Sequence, residues 1–194
     1  MASALHDMAV GEVQRLRLSL RTYGDTWGTT GTERAASFPV DRILPNAQQW
    51  MFRGVDVEAP AALTFRWLCQ LRAAPYSYDW IDNFGRQSPQ ELTPGLDDVK
   101  VGQQCMSIFE IVDVEPGETI TAEAKGSVFG DVAVTYRFVP VGENRSRIVA
   151  KLGIVYPSGI PGALMHDMLP VGDLIMMKKQ LRNLATLAAR DAAA

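Results

Sequence analysis

Two neighbouring stretches, DVAVTYRFVPV (131–141) and SRIVAKLGIVYP (146–157), constrain this chain more than any other feature, because each alternates in character from one residue to the next. Successive strand side chains point to opposite faces. Val132, Val134, Tyr136 and Phe138 therefore share one side of the first run, and Ile148, Ala150, Leu152, Ile154 and Tyr156 one side of the second. Arg147 and Lys151 fall on the other side, and Gly142 and Asn144 between the runs supply a hairpin turn. One-sided strands of this kind belong to an antiparallel sheet with one wet face.

The rest of the chain builds around that hairpin. QQCMSIFEIVDVEPGETITAEAKG (103–126) holds two more extended runs, separated by a Glu-Pro-Gly-Glu turn. WMFRGVDVEAP (50–60) reads as a strand stopped by Pro60. AALTFRWLCQL (61–71) has apolar residues at 61, 65, 68 and 71 and reads as a helix begun by that proline. YSYDWIDNFGR (76–86) follows as a second short helix, with Gly85 as its stop. Near the C-terminus Pro170 is expected to break or kink the chain, leaving a short turn of helix before it and a long helix over about 171–190. Leu174, Met177, Leu181, Leu184 and Ala188 stripe that helix.

At the other end, residues 3–22 read as an amphipathic helix with Leu5, Ala9, Val13, Leu16 and Leu20 on one face. Arg15, Arg17 and Arg21 make its second half basic, as in a membrane-surface helix, but Asp7 and Glu12 dilute that charge, and docking on the domain or on a partner subunit is the expectation. Residues 24–48, rich in Gly, Thr, Pro and Asn, read as an extended arm or wandering loop anchored by Trp27, Phe38, Ile43 and Leu44. The division expected is an N-terminal helix and arm over 1–48 and a domain over 49–194.

Composition narrows the function classes. Formal charge is 19 minus 22, or −3, with 47% hydrophobic and 21% charged residues among 194. Those values suit a globular domain with an appendage and carry no basic footprint for nucleic acid. No apolar run approaches the roughly 18 residues of a transmembrane segment. The opening MASALHDMAV lacks the basic start and long apolar run of a secretory signal. A cytoplasmic protein is expected. Cys69 and Cys105 lack CxxC spacing and neighbouring histidines, so they read as buried free thiols unless the fold joins them. His6 and His166 are far apart in sequence, so no His-based metal cluster is expected. GxGxxG and Walker spacings are absent, and no cofactor is indicated.

Several of these words resemble a known superfamily. VDVEAPAALTFRWLCQL (55–71) is similar to the opening strand and first helix of the SRPBCC superfamily, the START or Bet v 1-like helix-grip fold. YSYDWIDNFGR resembles the second helix of its bacterial polyketide cyclase/dehydrase-like subgroup. IMMKKQLRNLATLAAR (175–190) resembles the closing helix, and WGTTGTERAASFPVDRILP (27–45) a leader of that subgroup. The resemblance covers roughly residues 25–190. It implies an α+β helix-grip fold: a curved antiparallel sheet wrapped around a long C-terminal helix, two short helices after the first strand, and a cavity between sheet and helix. Tyr136, Phe138, Ile154 and Tyr156 would then line one wall, with Met168, Met176 and Met177 opposite, around a small hydrophobic or amphipathic ligand. The same side chains fill a solid core equally well.

Shared fold does not transmit function, so three readings stay open. One is a binder of such a ligand. Another is a cofactor-free enzyme of cyclase/aromatase type acting on a polyketide-like substrate. The third is an interaction module with a closed cavity, homodimerising through the first helix. Within 76–86, Tyr76, Tyr78 and Trp80 are the candidates for a pocket mouth, while Asp79, Asp82 and Arg86 form a solvated ion-paired face. Glu110 is a candidate acid or base if its face of residues 103–114 points inward, and a solvated carboxylate if it does not; both faces are apolar enough to leave the register open. His166 is the other catalytic candidate, on the segment before Pro170. Ser158 reads as part of a turn.

Overall fold

The alternating runs pair as neighbours. A computed structural model describes residues 22–194, apart from the side chains of 160–164 and 167. Its strands are β1 (Gln49–Val57), β2 (Gln104–Cys105), β3 (Phe109–Glu115), β4 (Thr119–Ser127), β5 (Gly130–Pro140) and β6 (Ser146–Val155). They form one antiparallel sheet in the order β1-β6-β5-β4-β3-β2. The helix read over 3–22, His6 and the dimer contact assigned to that helix lie outside the described residues.

Register places the alternating residues in rows across the sheet. Arg53 pairs with Ala150, Ala150 with Tyr136, and Tyr136 with Ile120. The adjacent row holds Met51, Leu152, Val134 and Ala122, all buried. Over this inner face lies the long helix α5 (Ile160–Ala192), introduced here with the helices before it: α1 (Gly31–Ala35), α2 (Val40–Ile43), α3 (Ala61–Cys69) and α4 (Asp79–Asp82). α5 packs on β1 and α3 and buries Met177, Leu181, Leu184 and Ala188. The Trp67 indole N–H donates to Asp191 at 3.0 Å, tying α3 to the end of α5. The architecture is the α+β helix-grip fold, an open curved sheet gripping one long helix. Among the described residues no helix is long and apolar enough to cross a membrane.

Three local expectations give way. The helix α5 runs unbroken through Pro170. Leu169 beside it packs against the core and Pro170 itself is buried, so tertiary contacts outweigh the roughly 3 kcal/mol a proline costs inside a helix. The second short helix is a single turn, and Phe84 and Gly85 just beyond it take positive φ. The stretch expected as an extended arm contains α1 and α2. Thr30 and Glu33 close a reciprocal capping box at the start of α1, with Glu33 N–H to Thr30 Oγ1 at 3.2 Å and Thr30 N–H to Glu33 Oε2 at 2.7 Å.

This stretch covers the sheet's outer face. Phe38, Val40 and Leu44 bury themselves against Ala133 and Val149. Two glycines let the chain cross β1 closely: Gly28 has φ +72°, and a Cβ there would lie 2.2 Å from the Gly54 carbonyl oxygen.

Candidate functional site

Between the sheet and α5 the interior is not purely apolar. Arg53, from the inner face of β1, is 0% exposed. One of its terminal nitrogens donates to Asp173 Oδ2 at 2.6 Å and the other to the Phe52 carbonyl at 2.9 Å, while Nε has no partner among the described residues. Asp173 comes from α5, with its side chain 11% exposed. Burial pushes its carboxyl up, and the Arg53 guanidinium pulls the other way without reversing that shift.

A second polar pair spans the same space. The Tyr136 hydroxyl donates to Gln180 Oε1 at 2.8 Å, and Gln180 Nε2 donates to the Pro75 carbonyl at 2.8 Å. Met106 Sδ lies 3.4 Å from both the Tyr136 hydroxyl and Gln180 Nε2. Burial raises the Tyr136 phenol well above its ordinary range, with Cys105 and Asp173 adding to the effect, so at neutral pH it is a donor and not a base. Cys69 and Cys105 are both free, and burial pushes each thiol up to about 12. Such thiols are not nucleophiles at neutral pH. The chemistry on offer is hydrogen bonding to a ligand by neutral donors and one buried cation. Among the described residues no three His, Cys, Asp or Glu side chains are grouped to hold a metal ion.

Open space is divided in two. Beneath α3 a void of about 10 Å³, room for about one water, lies among Leu68, Cys69, Cys105, Ile111 and Tyr136. At the edge of the sheet a cleft of about 210 Å³ opens between the 3₁₀ turn that ends at Arg72, the loop after α4 and β2. Arg72, Cys105 and Met106 border both spaces.

The residues singled out from sequence separate into groups. Tyr136, Phe138, Ile154, Tyr156 and Met177 are buried on the sheet–helix interface. The Tyr156 hydroxyl bonds Gln49 at 2.7 Å, and its ring lies 5.2 Å from that of half-buried His166. Met176 is half-buried and accepts from Ser77 Oγ through its carbonyl at 3.0 Å. Met168 is 64% and Trp80 76% exposed, both on the surface. Tyr78 is half-buried; Tyr76 is fully buried, edge-on to Trp67 at 6.2 Å, and its hydroxyl has no partner. Burial, with Asp79 adding to it, pushes that phenol up to about 12.

Glu110 is exposed, opposite Gln104 and Glu123, because the buried face of β3 is that of Ile111. A register shift between Ile111 and Asp113 then breaks the alternation that a sequence reading extends through Val114. No ion-paired face joins Asp79, Asp82 and Arg86. Asp79 instead accepts from Ser88 N–H at 2.8 Å and Ser88 Oγ at 2.5 Å, since α4 ends before Arg86 reaches its helical neighbour.

Arg53, Asp173 and Gln180 were not singled out from sequence. Their signal was present: Arg53 interrupts the Met51, Val55, Val57 parity of β1, and Asp173 and Gln180 share helical spacing with Met177 and Leu184.

Against known proteins, no family model and no curated protein matches this chain. Solved structures do. The Zhui aromatase/cyclase from Streptomyces sp. R1128 aligns at TM-score 0.50 and 16% identity, over 73% of this chain and 94% of its own. A protein from Thermobifida fusca aligns at TM-score 0.50 and 12% identity, over 73% and 93%. A START superfamily protein from Mycobacterium smegmatis aligns at 0.43 and 16%, over 74% and 97%. At such identities the likeness is one of fold: this chain has the helix-grip fold that the first two of these structures share.

Proposed function

We propose that this protein binds a small amphipathic molecule bearing an oxygen acceptor, in the space between the inner face of the sheet and α5. The observation that carries this reading is Arg53: a fully buried guanidinium whose Nε has no acceptor among the described residues. A buried ion pair is weak evidence for stability, because well-packed apolar residues often serve as well or better. A buried donor without a partner calls for an explanation. A carbonyl, phenolate or carboxylate oxygen of a ligand supplies one, and the buried Met51, Ala150 and Leu152 beside Arg53 on the sheet suit an apolar body. Likeness of fold to an aromatase/cyclase supports a small-molecule pocket without assigning turnover.

The test is a fluorescence titration with anilinonaphthalenesulfonate, an apolar body with an oxygen anion, alongside native mass spectrometry for co-purified molecules. Wild type is expected to bind the probe saturably at one site. The double variant Arg53→Met, Asp173→Leu removes both charges together and keeps the fold. It is expected to bind roughly ten- to a hundredfold more weakly, the worth of ~1.5–3 kcal/mol for a charge-assisted hydrogen bond. Equal binding by both proteins, or no saturable binding by wild type, sinks the reading.

A further inference from the structure

The cleft beside β2 has a character of its own. Arg72 and Arg86 line it, with Asn83, Gln104 and Ser107, and none of its lining residues is acidic. Among the described residues Arg86 makes no ion pair or hydrogen bond through its side chain, whereas one Arg72 nitrogen is held by the carbonyls of Leu96 at 3.0 Å and Asp98 at 3.3 Å. Of the carboxylates nearby, Asp79 is held by Ser88, Asp82 has a buried Oδ1, and Glu110 is exposed across the strand pair from Gln104; none of the three lines the cleft. An apolar wall faces the two cations. Phe84 is 86% exposed, and Met106 lies behind it on the same cleft.

The backbone here is also held out of its ordinary range. Among the described residues four non-glycine residues have positive φ: Tyr76, Phe84, Met106 and Ser107, and the last three line the cleft. Each such residue costs on the order of 1–3 kcal/mol, and such residues cluster at ligand clamps. Hydrogen bonds keep two of them in place, Met106 N–H to the Leu71 carbonyl at 2.9 Å and Ser107 Oγ to the Asp82 carbonyl at 3.3 Å.

Met106 joins this cleft to the interior. Its side chain borders both the cleft and the inner void, and its sulfur touches the Tyr136 hydroxyl and Gln180 Nε2. Of the three residues that border both spaces, Arg72, Cys105 and Met106, this unbranched, adaptable side chain is the one that touches the buried donors. At about 210 Å³ the cleft is smaller than the ~300–1,000 Å³ of a drug-sized site, so alone it holds only one end of a ligand.

We propose that the cleft is the outer subsite for a small organic anion with a planar apolar body, its acid group held by Arg86 and Arg72 and its ring laid on Phe84, and that Met106 is the movable partition through which the body reaches the Tyr136–Gln180 pair. Arginine is suited to the first task because its planar fork binds a carboxylate through two parallel hydrogen bonds. This inference rests on the interior being a ligand site.

Stopped-flow binding of 2-naphthoate and of its neutral analogue 2-naphthalenemethanol tests it. Arg86→Gln is expected to weaken naphthoate about tenfold and leave the neutral analogue unchanged, the loss of one exposed charge contact. Met106→Ala and Met106→Gly are expected to raise the association rate by about tenfold, ~1.4 kcal/mol off the barrier. Met106→Gly also relieves the positive φ, which offsets part of the packing lost with the side chain. Unchanged rates in both Met106 variants, or equal losses for acid and alcohol in Arg86→Gln, overturn the proposal. If the Arg53→Met, Asp173→Leu protein still binds more weakly than wild type in the same series, the interior reading survives that failure. Absence of naphthoate binding by wild type defeats both.

Discussion

Arg53 on the inner face of the sheet and Lys151 on the outer are both basic residues buried there, and the two are treated differently. Lys151 on the outer face pairs with Asp41 and lies over the rings of Trp50, Phe52 and Phe38, at 4.6, 5.4 and 5.7 Å. Its partner carboxylate is one-third exposed, so water shares the charge. Nearby, Val40 N–H donates to Thr135 Oγ1 at 3.0 Å, and Thr121 and Thr135 share a hydrogen bond of 2.8 Å. Arg53 on the inner face meets a carboxylate almost without water and keeps an idle donor. The outer face is closed by its own chain. Buried polar atoms without a partner among the described residues occur on both faces, Thr119 Oγ1 and Asp113 Oδ2 outside and Arg53 Nε inside, but only the inner one belongs to a fully buried cation, and the proposed binding role rests on that difference.

The sharpest way to break this contrast is to remove the two carboxylates in turn. Asp173→Ala leaves a buried guanidinium uncompensated and is expected to cost about 3–5 kcal/mol in urea unfolding. Asp41→Ala leaves Lys151 within reach of water and is expected to cost about 1 kcal/mol or less; equal losses would erase the distinction. Phe38→Ala opens the outer cluster and is expected to cost about 3 kcal/mol, while anilinonaphthalenesulfonate affinity stays as in wild type. A parallel fall in affinity would mean that the outer cover shapes the inner site. Tyr136→Phe leaves Gln180 Oε1 without its donor, at an expected ~1–3 kcal/mol in thermal unfolding.

The smallest effect is in pH. Glu33 on the outer side is partly buried, which opposes its ionisation, yet hydrogen bonds from Arg147 and the Thr30 N–H outweigh that and lower its carboxyl. Its stabilisation is therefore present above the ordinary glutamate range and lost as pH falls through the lowered native value. Asp173 behaves oppositely. The native state holds its proton to higher pH than the unfolded chain, so its contribution is present below the ordinary aspartate range and lost as pH rises through the raised native value. Unfolding curves across acid pH are expected to flatten at opposite ends in Glu33→Gln and Asp173→Asn; like slopes in both variants would contradict the assignment.

Particular residues mark how far the sequence could be read. Alternation through 131–140 and 146–155 identified the inner face of β5 and β6 correctly, because a half-buried strand needs a period of two. The same rule could not orient β3: Phe109, Ile111 and Val112 are apolar on both parities, and the bulge after Ile111 lies in strand pairing rather than in composition. The capping box of Thr30 and Glu33 was legible but sat in a stretch that looked like loop. Pro170 misled because its cost is local and its compensation is not. Trp80 was a candidate for a pocket mouth, yet α4 is one turn long and leaves the ring on the surface.

From β1 onward the succession of main elements, the period of β5 and β6 and the stripe of α5 were legible in the residues alone, since each depends on neighbours a few residues apart. Only the tertiary structure decided that Arg53 would meet Asp173, 120 residues away, and that Met106 would stand between a cationic cleft and Tyr136. Such meetings depend on register, on the crossing of α5 over the sheet and on burial, and no local pattern encodes those.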